Sequence, residues 1–132
     1  GGEGNGGVIL PTLHHTRDAP LAAALILQHL IDVGGPPSVA VAHWPSYSIV
    51  KEKIRFPREA LPRAYEMLEG DLDDATVDHS DGLRLTWRDR STWLHVRPSG
   101  TELVVRLIVE APDEEQTRAL LDHVAGLLEG FV

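Results

Sequence analysis

Arg97-Pro98-Ser99-Gly100-Thr101-Glu102 concentrates anion-binding chemistry in six consecutive positions. An arginine presents a planar fork matched to two oxygens of a phosphate, Ser99 and Thr101 add hydroxyl donors, and Gly100 lets backbone N–H groups approach an anion closely. A tight hairpin turn explains the same residues more plainly, since Pro, Ser and Gly are common turn formers and Gly100 can supply a positive φ. Yet so many kinds of donor within so few positions exceed what a turn requires. The protein carries 12 Lys+Arg against 20 Asp+Glu, a formal net charge of −8. An island of anion affinity in that setting favours a small charged ligand over a polymer.

A second candidate lies at the other end of the chain, in Gly1-Gly2-Glu3-Gly4-Asn5-Gly6-Gly7. Glycine-rich segments of this kind are often linkers. A linker does not need Glu3 and Asn5, whereas a carboxylate and an amide two residues apart on a glycine loop suit adjacent hydroxyls of a sugar. The seven histidines read as surface or satisfied side chains. His14 and His15 are neighbours facing different ways, and neither a His-x-x-x-His nor a Glu-x-x-His pair supports a metal site. Trp44, Trp87 and Trp93 read as core and edge packing, and Asp71, Asp73 and Asp74 as a solvated loop.

The elements that must position these residues fall into two groups. The glycine loop leads into a short strand over Val8, Ile9 and Leu10. Asp18 then caps a helix over Ala19–Val33 that Gly34 stops, with Pro20 in its first turn. That helix is apolar nearly all round and needs cover on more than one side, which a single strand cannot give. The opening unit, residues 1–35, is therefore expected to be the end of a larger α/β domain. It is expected to be loosely packed or self-associating when its sheet is absent. Gly34-Gly35-Pro36-Pro37 breaks the pattern, and Ser38 is expected to cap a short helix over 39–43 that Pro45 ends. Residues 36–46 are the expected hinge.

Residues 47–132 form the second unit. An alternating segment over 47–56 reads as a strand with a charged outer face, followed by a helix from Pro57 to Gly70 with Leu61, Ala64, Tyr65 and Leu68 as its stripe. From Asp73 the period changes to two. Strands are expected over 75–79, 83–87, 92–97 and 103–110, with turns at Ser80-Asp81-Gly82 and Asp89-Arg90-Ser91. Leu103, Val105, Leu107 and Val109 share one face of the last strand. Asp113 and Gln116 in capping-box spacing open a final helix in which Leu120, Leu121, Val124, Leu127, Leu128 and Phe131 recur at helical period. The order is β-α-β4-α, an α+β antiparallel sheet covered by two helices.

Composition bounds the function classes. With 132 residues, 42% apolar and 24% charged, the chain suits one compact domain plus a smaller piece, neither disordered nor fibrous. The acidic balance disfavours nucleic acid as a partner. Zero cysteines remove disulfides, thiolate nucleophiles and Cys-ligated zinc, and suit a reducing compartment. The longest apolar stretch is far shorter than the roughly 18–20 residues that span a bilayer. A soluble, cytoplasmic protein with no membrane partner is expected.

The two candidate loops together resemble one family. The chain is similar to the C-terminal portion of an α-D-phosphohexomutase, the group of phosphoglucomutase, phosphomannomutase and phosphoglucosamine mutase. Members carry a Gly-Gly-Glu-x-Ser-Gly-His sugar loop in their third domain and an Arg-Pro-Ser-Gly-Thr-Glu phosphate loop in their fourth, in the order found here. The fourth domain has the β-α-β4-α order in a TATA-binding-protein-like fold, a likeness of architecture that implies no DNA binding. The resemblance implies that Glu3 and Asn5 bind sugar hydroxyls and that Arg97, Ser99, Gly100 and Thr101 grip the substrate's non-reacting phosphate. Asn5 and Gly7 stand where many members have Ser and His, which tilts the substrate toward glucosamine phosphate among glucosamine, mannose and glucose phosphates.

The resemblance also implies an enzyme that moves a phosphoryl group from a phosphoserine to a hexose phosphate and back through a bisphosphate, with Mg²⁺ as cofactor. The family's serine loop and its magnesium loop are nowhere in this sequence. The chain alone is therefore expected to be inactive, to bind no metal and to partner the remaining domains of its parent. Two readings outside catalysis stay open: an independent sugar-phosphate or anion-binding module, and a protein-interaction domain in which Arg97 to Glu102 is only a turn.

Overall fold

The computed structural model describes residues 1–2 and 7–131, in two units, Gly1–Pro45 and Ser46–Val132. In the first, Gly2 and Val8 form an antiparallel bridge, and the Ile9 N–H donates to Gly1 O at 2.8 Å. The strand expected at residues 8–10 is reduced to that bridge. Leu10 O accepts from the N–H groups of Leu13 and His14, which turns the chain at Pro11 before a ladder can extend. Helix α1, Ala19–Val33, has Asp18 as its N-cap, with Oδ1 accepting from Leu21 N at 2.8 Å, and it stops at Gly34 with φ 69°. That backbone bond, followed by the nearby His14 side chain at 2.9 Å, holds the Asp18 carboxyl below its ordinary value.

No residue of α1 is buried, and Ile31 is 75% exposed. The apolar surface of this helix, which includes Leu25, Ile26, Leu27 and Val33, is exposed. The second helix, α2, spans Pro37–Val41 rather than 39–43, and Ser38 lies inside it. Pro36 takes the cap position because Pro37, with its fixed φ and missing N–H, is already suited to a first helical residue. Trp44 is 61% exposed, its ring 5.8 Å from that of His29, so it is neither core nor edge packing.

The second unit is a five-stranded antiparallel sheet. Its strands are β1 (Ser48–Arg55), β2 (Thr76–Asp78), β3 (Leu83–Trp87), β4 (Thr92–Pro98) and β5 (Val104–Ala111), in spatial order β1-β5-β4-β3-β2. Helices α3 (Leu61–Asp71) and α4 (Glu114–Glu129) supply the apolar cover. Alternation decides the faces. Leu83, Leu85 and Trp87, then Leu94 and Val96, then Val105, Leu107 and Val109 are buried with Leu61, Ala64 and Leu68 of α3 and Leu121, Val124 and Leu128 of α4. Residues one step out of phase, among them Lys51, Lys53, Arg84, Arg97 and Arg106, are exposed.

Local devices fix the ends of these elements. Asp113 accepts from Gln116 N at 2.8 Å, and the Gln116 amide bonds the Asp113 carboxylate rather than the cap's own N–H, a variant of the expected box. Thr117 Oγ1, buried, lies 2.7 Å from Asp113 O and 3.2 Å from Ser48 O, which ties α4 to the start of β1. Helix α3 runs through Gly70 to Asp71, and its last turn closes by Leu72 N to Leu68 O at 3.0 Å. A glycine without positive φ costs helix stability but need not end the helix. Asp71 is thereby helical, and its Oδ2 pairs with His123 Nε2 at 2.6 Å. Leu103 is 77% exposed and precedes β5, because the ladder starts only at Val104. Among the described residues no helix is long and apolar enough to cross a membrane.

The fully buried, central Leu107 and the exposed Leu103 make a matched pair. Leu107→Ala is expected to cost about 2–5 kcal/mol of stability, while Leu103→Ala stays within about 0.5 kcal/mol. Chemical denaturation of the two variants checks this.

Candidate functional site

The segment Arg97 to Glu102 ends β4 and leads into the connection to β5, its neighbour in the sheet interior. The last ladder pair is Pro98 with Val105, and the Ser99 N–H donates to Val104 O at 2.9 Å to close the turn. Ser99 is 2% exposed. Its Oγ accepts weakly from the N–H groups of Thr101 and Glu102, at 3.4 and 3.3 Å, so the hydroxyl folds the loop back on itself and keeps one O–H to donate. The Ser99 carbonyl accepts from the Arg58 guanidinium in the 3-10 turn before α3. Gly100 and Thr101 are left exposed at the tip.

Gly100 does not have a positive φ, contrary to the turn chemistry expected of it. The Ser99 hydroxyl bends the loop instead. Nothing lies within 4 Å of where a Gly100 Cβ would stand, so what glycine contributes there is open approach to the backbone.

Arg97 projects from the helix-free face of the sheet and meets Asp81 in the β2–β3 turn, Nη1 to Oδ2 3.2 Å. His95, two residues earlier on the same face, donates from Nε2 to the Asp81 carbonyl at 2.6 Å. The turn is held from the helix side as well: the Tyr65 hydroxyl donates to Val96 O at 3.3 Å beside Gly82. Partial burial, with the Asp81 charge adding to it, raises Tyr65 above its ordinary value and keeps that donor protonated. Glu102 is paired with Lys53 of β1 at 2.9 Å, and this hydrogen bond and its charge hold the Glu102 carboxyl below its ordinary value. Arg106 stands directly opposite both Arg97 and Lys53 in the register.

The loop thus has four cations around it, Lys53, Arg58, Arg97 and Arg106, and two carboxylates, Asp81 and Glu102. A protein with net charge −8 has built a locally positive surface here. By contrast, a hollow of about 420 Å³ is lined by Asp71, Asp73 and Asp74 together with Trp87 and Arg90, and its carboxylates oppose an anion. Glu3 and Asn5 lie outside the described residues. The structure does bring the ends of their loop together through the Gly2–Val8 bridge.

Sequence reasoning named Arg97, Ser99, Gly100 and Thr101 but passed over Lys53, Arg58, Asp81 and Arg106. Lys53 and Arg106 carried a signal, since each lies on the charged phase of an alternating strand. That signal becomes a site only once β1 and β4 are known to flank β5.

Comparison with known proteins decides the family. Residues 49–127 match the model of the phosphoglucomutase/phosphomannomutase C-terminal domain. The chain belongs to the phosphoglucomutase/phosphomannomutase family. A relative from Methanopyrus kandleri, named probable phosphoglucosamine mutase, is 40% identical over 100% of this chain and 29% of its own length. A Thermococcus kodakarensis protein named phosphoglucomutase/phosphomannomutase is 33% identical over 98% of the chain and 28% of its own length. The crystal structure of a phosphoglucomutase/phosphomannomutase family protein from Burkholderia thailandensis matches with a TM-score of 0.65 and 22% identity, over 89% of this chain and 24% of that one, and shares the fold. This family chain spans a little under a third of the curated relatives it matches. Among the described residues no three His, Asp or Glu side chains are placed together to hold a metal ion such as the magnesium that the family resemblance implies.

Gly82 carries the closest backbone approach at the site. Its φ is +86°, and a Cβ there would lie 2.4 Å from Val96 O and 3.2 Å from Arg97 Cα. Gly82→Ala is expected to cost about 1–3 kcal/mol of stability and to shift the Arg97 amide resonance, whereas Gly100→Ala leaves both nearly unchanged. Thermal melts and amide spectra of the two variants check this.

Proposed function

We propose that this chain is the substrate-recognition part of a phosphohexomutase, in which Arg97, Ser99, Gly100 and Thr101 clamp the non-reacting phosphate of a hexose phosphate. The supporting observation is the local inversion of charge around a loop whose tip presents open backbone and hydroxyl donors. Arg97 is already aimed by Asp81. A phosphate dianion competes for that guanidinium with a single carboxylate and adds hydrogen bonds from the loop. Glu3 and Asn5 would read ring hydroxyls, and the segment 36–46 would act as the hinge that lets the clamp close and exclude water.

In the parent protein the reaction would interconvert hexose 6-phosphate and hexose 1-phosphate through a phosphoserine and a bisphosphate. The names of the relatives and the Asn5/Gly7 form of the first loop favour glucosamine or mannose phosphate. Neither the serine nor the magnesium ligands are residues of this chain, so its share of the reaction is grip and it is inactive alone. A clamp of guanidinium, hydroxyl and N–H donors suits that share, because it makes the same bonds to whichever phosphate is not reacting. That is what a bisphosphate that turns around between two half-reactions requires.

A second reading, a sugar-phosphate binding module without catalysis, draws on one observation. The loop and every cation around it lie within the unit Ser46–Val132. Arg97→Ala is expected to weaken glucosamine 6-phosphate binding by about 1.5–3 kcal/mol with little change in melting temperature. Calorimetric titration checks this, and unchanged affinity removes the clamp. Mutase activity on joining the chain to a segment with the serine and magnesium loops separates the enzyme from the binding module.

A further inference from the structure

The backbone N–H groups of the loop are not equally available. The Ser99 N–H donates to Val104 O, and those of Thr101 and Glu102 both turn to the Ser99 hydroxyl. Among the described residues the Gly100 N–H has no acceptor, and it sits at the exposed tip with nothing within 4 Å of where a Cβ would stand. The other end of the same peptide unit is pinned. The Ser99 carbonyl accepts from the guanidinium of Arg58, which lies in the 3-10 turn between Phe56 and Leu61. Both of those neighbours are buried in the core, so Arg58 reaches the loop from the layer of the helices. A trans peptide is planar and sets its C=O and N–H in opposite directions. With its oxygen turned to Arg58, the Ser99–Gly100 peptide turns the Gly100 N–H away from that layer.

A carbonyl on a surface loop does not need an arginine to be satisfied, since water serves as well. A guanidinium there does two further things. It fixes the rotation of a peptide plane that a glycine otherwise leaves free to turn, and its charge at the carbonyl end polarises the peptide so that the N–H becomes a stronger donor. Both effects fall on the N–H that the loop leaves open. We propose that Arg58 is a positioning residue of the phosphate loop, which turns the Ser99–Gly100 peptide so that the Gly100 N–H faces the bound phosphate dianion. The inference rests on the clamp reading above and adds to it a residue that acts through a peptide rather than by contact with the anion. Arg58 is distant in sequence from the loop and belongs to the connection between β1 and α3, so the phosphate site is tuned from the side of the sheet opposite to the one Arg97 projects from.

The test uses the whole chain and inorganic phosphate, titrated by calorimetry, with amide spectra and thermal melts of each variant. Arg58→Met keeps the stem and removes the charge and the donors. It is expected to weaken phosphate binding about 5- to 10-fold and to move the Gly100 amide proton upfield before phosphate is added. Its melting temperature is expected to stay within about 5 °C of the native value. Arg58→Lys can still donate to the carbonyl and recovers most of the affinity and of the amide shift. Arg63→Met, the same loss of charge at an exposed position of α3, leaves affinity within about twofold, and high salt removes that difference while the effect of Arg58→Met persists. Native-like affinity in Arg58→Met with binding abolished in Arg97→Ala overturns this inference and leaves the clamp standing. A lower melting temperature with unchanged affinity makes Arg58 structural and also overturns it. So does a loss of affinity that Arg58→Lys does not recover, or one that salt screens away as it does for Arg63→Met. No response of the native chain to phosphate removes both readings together.

Discussion

The Ser99 N–H bond to Val104 O sits one step beyond the last pair of the β4–β5 ladder and converts the end of that ladder into a turn. Everything the loop presents depends on it. β4 and β5 have paired strands on both sides, and Leu94, Val96, Val105, Leu107 and Val109 seal them onto the helices. The loop therefore springs from the paired and buried interior of the sheet. A short connection between two buried strands has few ways to move, and such preorganisation is what anion recognition by backbone N–H groups needs.

Electrostatics adds the second layer. The protein as a whole repels anions, but the register sets Lys53, Arg106 and Arg97 in a row, and the 3-10 turn brings Arg58 to the Ser99 carbonyl. Asp81 and Glu102 hold two of these cations in place without neutralising the group. The result is short-ranged: within about a Debye length the field is positive, and farther out the net charge dominates. A small phosphate ester profits from such a field more than a nucleic acid, whose length would meet the surrounding acidic surface.

Much of this was legible in the residues themselves. Strand period and the apolar stripes fix which side chains of the second unit face the core, and the Asp18 and Asp113 caps fix where two helices begin, because each is a local consequence of geometry. The charged phase of β1 and β5 was equally visible. What a single chain could not show is which strands are neighbours. Lys53 and Arg106 are far apart in sequence, and only the placement of β5 between β1 and β4 makes them part of one surface. Arg58 and Asp81 escaped for the same reason, reading as a helix start and a turn residue until the fold brought them to the loop. Gly100 was misread in mechanism, since the buried Ser99 hydroxyl supplies the bend that a positive φ was expected to supply. The Val8 segment was misread in extent, because the turn that Leu10 O closes with Leu13 and His14 ends the ladder after one bridge.

The central claim is that the turn between β4 and β5 is a phosphate site rather than a connection. An amide-resolved titration of the chain with inorganic phosphate and glucosamine 6-phosphate, following Ser99, Gly100 and Thr101, tests it most directly. The account predicts saturable shifts at these three amides with both ligands, in the same directions, with the sugar phosphate binding at least as tightly. Shifts absent at millimolar ligand, or spread over the acidic surface without saturation, would contradict it.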